Sequence, residues 1–176
     1  MRKLALKLDR LSQALHTIAL WGAVLAVVFM LGAACWQVVA RYALAQPPAW
    51  TEEIARFSMV WAGLLGASCA FRLGSDPSLF PEMRNRTGLV GRVLSLLRFL
   101  GVLGFVAPIL WYSFFGPNMN PARGYVARLA GRQAETIDLP MTVFGIAIPL
   151  AFSIIFLHLI ARLAIDLTAD PDGETK

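Results

Sequence analysis

Residues 47–72 read PPAWTEEIARFSMVWAGLLGASCAFR, and the character of the whole chain turns on how this stretch divides. Pro47 and Pro48 stop any preceding helix and set up a fresh start. Thr51 is placed to act as an N-cap, with Glu52 and Glu53 in the first turn, where the helix dipole favours negative charge. Arg56 follows Glu52 by four residues, the spacing of a same-face ion pair. Beyond Arg56 no charge occurs until Arg72, so an apolar helix begins under a compact charged collar. Small residues recur along it: Ala62, Gly66 and Ala70 are four apart, and Gly63 and Ala67 form a parallel row. In a bilayer such stripes let two helix backbones approach closely. Trp50 and Trp61 complete the stretch.

Composition sets the class. The 176 residues are 57% hydrophobic and 15% charged, against about 25% charged in a soluble domain, and the mean hydropathy is +0.62. The chain reads as a membrane protein with one bundle of a few spans. Its net charge of +5 does not point to nucleic acid, because the basic residues flank apolar runs instead of forming one patch. Cys35 and Cys69 lie inside apolar runs with no partner pattern, which argues against a disulfide or a metal site.

Upstream of the collar, residues 1–15 form a basic amphipathic lead, with Arg2, Lys3, Lys7 and Arg10 against Asp9. Thr17 to Ala40 carries no charge and exceeds the ~20 residues that cross a hydrocarbon core. A signal peptide has a shorter apolar core, of ~7–15 residues, so this run reads as a retained helix. The Leu31–Cys35 stretch lacks the leucine of a lipoprotein cleavage box three residues before the cysteine.

Downstream, residues 72–92 are polar and proline-bearing, with Arg84 and Arg86 close together. A third apolar run holds Arg98, expected to snorkel toward the interface, and Pro108, expected to kink its helix. Gly116-Pro117-Asn118 breaks the chain. Tyr125, Val126 and Leu129 then recur at helical spacing among Arg123, Arg128 and Arg132, which predicts a short interfacial helix. A last apolar run from Leu139 ends in an acidic tail.

The expected fold is an all-α integral membrane protein with four transmembrane helices at about 16–41, 52–72, 92–115 and 139–162. They make one membrane domain over residues 1–170, and 171–176 read as a disordered tail. The lead, the middle loop and the tail hold eleven lysines and arginines, against five in the two loops on the other side. The bias places both termini in the cytoplasm and the Glu52/Glu53 collar outside.

The intramembrane stretches contain no nucleophile elbow, phosphate loop or metal-spaced cluster, so no enzyme and no cofactor is expected. His16 starts the first span and His158 lies near the end of the fourth, so both fall near the cytoplasmic side, where one haem could sit between them. That keeps open a haem-bearing or haem-free membrane anchor of a respiratory redox complex. A self-sufficient channel would need a polar pore stripe, and Gln37 and Ser68 are too few to make one.

The order Arg41-Tyr42, then Pro48-Ala49-Trp50-Thr51-Glu52-Glu53-Ile54-Ala55-Arg56, then Trp61, Gly66-Ala67 and Phe71-Arg72, resembles the small, DctQ-type membrane subunit of tripartite ATP-independent periplasmic (TRAP) transporters. Leu139-Pro140-Met141 and Ile148-Pro149-Leu150 are similar to that family's last helix. The sequence departs from the family after Gly74, where Ser75 to Glu82 replaces a histidine-containing segment. The resemblance implies a multi-pass protein of the bacterial inner membrane that packs beside a large membrane subunit. That subunit moves an organic acid or related solute on an ion gradient, commonly sodium, after a periplasmic solute-binding protein has captured it. Membrane lipids complete the expected surroundings. The resemblance and the helix pattern together make Arg41, Trp50, Glu52, Glu53, Arg56, Trp61, Ala62, Gly66, Ala70 and Arg72 the candidate structural and partner-binding residues.

Overall fold

In the computed structural model, which describes residues 2–75 and 88–168, the backbone is helical apart from short turns and one isolated bridge, Gln133 with Pro140. The helices are α1 (Arg2–Tyr42), α2 (Ala49–Leu73), α3 (Gly88–Phe114), α4 (Tyr125–Ala130), α5 (Thr142–Gly145) and α6 (Ala147–Thr168). Four segments are long and apolar enough to cross a membrane: Lys3–Tyr42, Ala49–Leu73, Val90–Phe114 and Thr142–Thr168. The expected four spans are therefore present. The polar link with Arg84 and Arg86 and the tail at 171–176 lie outside the described residues.

The boundaries differ from the expected ones for physical reasons. The basic lead is not a separate element; α1 is one continuous helix of 41 residues. Its buried positions are Ala5, Ser12, His16, Ala19, Ala23, Ala33 and Ala40, spaced by a three, fours, sevens and a ten, so one narrow face runs from lead to span. Almost all are small, and a methyl placed on Gly22 would lie 2.9 Å from Leu65 Cδ1. Close approach between α1 and α2 thus rests on the small residues of α1.

Helix α2 starts before Thr51. Pro48, extended at φ −73° and ψ 135°, occupies the cap position. Thr51 is instead buried in the first turn, where its hydroxyl donates to the Pro48 carbonyl at 2.7 Å. The helix ends at Gly74, left-handed at φ 69°, with Ser75 N–H donating to the Ala70 carbonyl at 3.0 Å, a glycine-terminated C-cap.

The last span is interrupted at Ile146, between α5 and α6. Pro149 explains the break: it has no N–H for the Gly145 carbonyl, and its ring crowds that carbonyl. Helix α3 runs across Pro108 unbroken. Arg98 pairs with Asp166 of α6 at 3.1 Å, and Ser95 donates to the same carboxylate oxygen at 2.7 Å. Asp166 lies in the last turn of α6, so the pair sits toward one end of the bundle and gives Arg98 a partner there.

Helix α6 sits between its neighbours, packing on α1, α2 and α3. Ala19, Ala23, Leu65, Cys69 and Ile154 form the shared core, with Leu15 and Trp61 packed against it. Phe105 and Phe152 join α3 to α6 edge to face, with centroids 5.9 Å apart.

Candidate functional site

The collar residues divide into two groups. Glu52 and Arg56 form the expected i,i+4 pair at 3.1 Å, and both are exposed. Arg41 and Trp50 are exposed beside them in sequence. Glu53, one residue and about 100° further round the helix, is buried. Its Oε1 accepts the Glu135 N–H at 2.9 Å, and its Oε2 accepts both the Thr136 N–H, at 2.8 Å, and the Thr136 hydroxyl. The carboxylate is therefore occupied within the chain and holds the α4–α5 loop against α2. One turn further along, Phe57 stacks on Phe144 with centroids 3.8 Å apart and planes 7° apart, a contact worth about 0.5–1.5 kcal/mol beyond its burial.

The expected interfacial helix is α4, at Tyr125–Ala130. Two glycines fold the loop that carries it. A Cβ on Gly124 would collide with the backbone carbonyl of Phe114, and one on Gly116 with the backbone of Arg123. A third, Gly145, leaves room for the side chains of Leu129 and Tyr125. Asn120 accepts the Ala122 N–H through Oδ1 at 3.0 Å. The result is a folded cover over one end of the bundle, pinned by Glu53.

The opposite end, where α1 begins and α6 ends, contains a polar knot that the sequence reading did not assemble. Arg72, expected among partner-binding residues, turns into its own chain. Its guanidinium donates to Gln13 Oε1 at 2.8 Å, to Asp9 Oδ1 at 3.0 Å and to the Ser12 hydroxyl. Ser12 Oγ is also 2.6 Å from His158 Nδ1. One arginine thereby links α1 and α2, and Ser12 carries the link to α6. The His16 and His158 rings stand edge-on, with centroids 6.5 Å apart. The Cys69 thiol donates to the His16 carbonyl at 3.8 Å. Among the described residues no group of three or more histidines, cysteines or carboxylates is placed to hold a metal.

The signal for this knot was in the spacing: Ser12 and His16 are four apart on the row that continues as Ala19 and Ala23. Asp9 is the one acid in a basic lead. Both features are weak until Arg72, some 60 residues later, is brought beside them.

The small-residue stripe is only partly covered inside the chain: Gly63 and Ala67 are exposed, whereas Ala62, Gly66 and Ala70 are half-buried. Leu65, Ser68 and Cys69 are the buried part of α2 beyond its first turns. A Cβ on Gly63 or Gly66 would meet nothing within 4 Å. Trp61 lies half-buried against the core, whereas Ala62, Gly66 and Ala70 are half-buried at its edge. Glu52, Arg56, Met59, Gly63, Gly66 and Ala70 follow one another at intervals of three and four, so they share one face of α2. That face is open.

None of the curated proteins compared with the chain matches it. The family model for tripartite ATP-independent periplasmic transporters, DctQ component, matches residues 30–169. The match runs from the second half of α1 to the end of α6 and takes in the collar, the pinned loop and the open face of α2. The chain thus belongs to the DctQ component family of tripartite ATP-independent periplasmic transporters, as a multi-pass membrane component of a transporter.

Proposed function

We propose that this chain is the small permease subunit that scaffolds and anchors the large transport subunit in a bacterial inner membrane, with both termini in the cytoplasm. The observation that carries the reading is the open face of α2. It joins an exposed ion pair, Glu52–Arg56, to Gly63 and Gly66, where a Cβ would meet nothing within 4 Å, which suits close packing against a second helix. The ion pairs inside the chain support the same division of labour. Arg72 and Arg98 are both held by acids of neighbouring helices, which stabilises a fixed element. Solute passage then belongs to the large subunit, supplied by a periplasmic solute-binding protein and driven by an ion gradient, with sodium and an organic acid as the first ion and solute to test.

The direct experiment is a mild-detergent pull-down of the tagged chain from its native membrane, with mass spectrometry of what accompanies it. A large polytopic subunit, with a periplasmic binding protein that associates on addition of solute, is the expected result. A flavin or iron–sulfur partner would overturn the proposal in favour of a redox anchor.

A further inference from the structure

A groove of about 620 Å³ lies at the α4–α5 end, lined by Trp61, Ala130, Pro140, Thr142, Val143 and Ile146. Apart from the Thr142 hydroxyl and the Trp61 indole N–H, its walls are apolar. Down α2, Glu53 holds the loop, Phe57 stacks on Phe144, and Trp61 reaches the groove. Eight residues separate Glu53 from Trp61, so the groove's Trp61 wall lies about 12 Å along α2 from the level of the pinned loop.

The loop that supplies Ala130 and Pro140 to the wall also carries Arg123, Arg128 and Arg132. All three are exposed, and none makes an ion pair among the described residues. The acids Glu135 and Asp138 on this loop are outnumbered by the three arginines. Arginine presents a planar fork that matches phosphate oxygens bidentately. In the wall, Thr142 Oγ1 is buried and has no hydrogen-bond partner, so a donor awaits an acceptor such as an ester carbonyl.

We infer that this groove binds an anionic glycerophospholipid. One acyl chain lies along Trp61, Val143 and Ile146, and the phosphate is held by Arg128 and Arg132. The site would account for three arginines in a loop that the charge bias assigns to the non-cytoplasmic side. It rests on membrane insertion and not on the transporter role, so it is tested on the chain without the large subunit.

The experiment places the full chain in nanodiscs containing phosphatidylglycerol and phosphatidylethanolamine in equal amounts, releases it in mild detergent, and measures intact mass as detergent washing proceeds. One phosphatidylglycerol should persist on the wild-type chain. The R128Q/R132Q variant should lose it at least tenfold faster, R128K/R132K should keep it to a large extent, and V143W, which fills the groove, should lose it with both arginines present. Equal retention of both lipids in all variants, or no retained lipid on the wild type, would overturn the assignment. Loss in both arginine pairs alike, accompanied by a lower melting temperature, would count against it too, because it would trace the effect to folding of the loop.

Discussion

Glu53 and Thr136 are 83 residues apart in sequence, yet one carboxylate oxygen of Glu53 accepts both the backbone N–H, at 2.8 Å, and the hydroxyl of Thr136. This contact, with the Glu135 N–H on the other oxygen, decides where the loop bearing α4 rests. In Glu53→Ala the exposed Glu135 and Thr136 lose the three hydrogen bonds that hold their loop to α2 and can turn to water instead. The loop should open, and trypsin should cut after Arg128 and Arg132 several-fold faster than in the wild type. Glu52→Ala removes only an exposed pair, of small worth, and should leave the cleavage rate unchanged. Equal rates in wild type and Glu53→Ala would refute the pinning.

Arg72 ties α1 to α2 through Asp9, Ser12 and Gln13. Arg72→Ala should lower the thermal midpoint of the detergent-solubilised chain by the equivalent of about 2–3 kcal/mol, the scale of hydrogen bonds to a charged group. Arg72→Lys keeps the charge but loses the fork, so an intermediate midpoint is expected. An unchanged midpoint in Arg72→Ala would show that the knot adds nothing to stability.

Gly124 approaches the backbone of Phe114, with a hypothetical Cβ 3.2 Å from the Phe114 Cα and closer still to its carbonyl. Gly124→Ala should therefore displace α4, with a cost of about 1–3 kcal/mol for overpacking against backbone. Gly131→Ala is the control, since a Cβ there meets nothing within 4 Å. Protection of the 120–132 amides from hydrogen exchange should fall in the first variant and hold in the second.

The count of lysines and arginines predicts cytoplasmic termini. A fluorescent protein fused after Lys176 should fold and fluoresce, whereas alkaline phosphatase fused there should be inactive. The reverse pattern would invert the assigned orientation, and the α4 loop would then face the cytoplasm.

Much of this architecture was legible because apolar length is a strong signal: the four spans needed only counting. Helix ends were less so. Thr51 looked like a cap, but Pro48, already extended, took that position. The lead was read apart from the first span because its charges hid the row formed by Ala5, Ser12, His16 and Ala19. The collar was legible as a group of charges and not as a geometry. Glu52 and Glu53 are adjacent in sequence, yet the 100° step between them sends one to the surface and the other to the loop. Arg72 and Arg98 found acids on distant helices, Asp9 and Asp166, a pairing that no local spacing encodes. The stripe at Ala62, Gly66 and Ala70 is half-buried, while the tightest packing between α1 and α2 falls to the small residues of α1, which no spacing within α2 could show.

The central claim, that the open face of α2 seats the large subunit, is tested most directly with Gly66→Trp. A Cβ at this position meets nothing within 4 Å, and a melting temperature equal to the wild type's checks that the larger side chain is accommodated. The claim predicts that the variant no longer co-purifies the large subunit and no longer supports solute uptake, while Gly66→Ala retains both. Full co-purification and normal uptake in Gly66→Trp would contradict it.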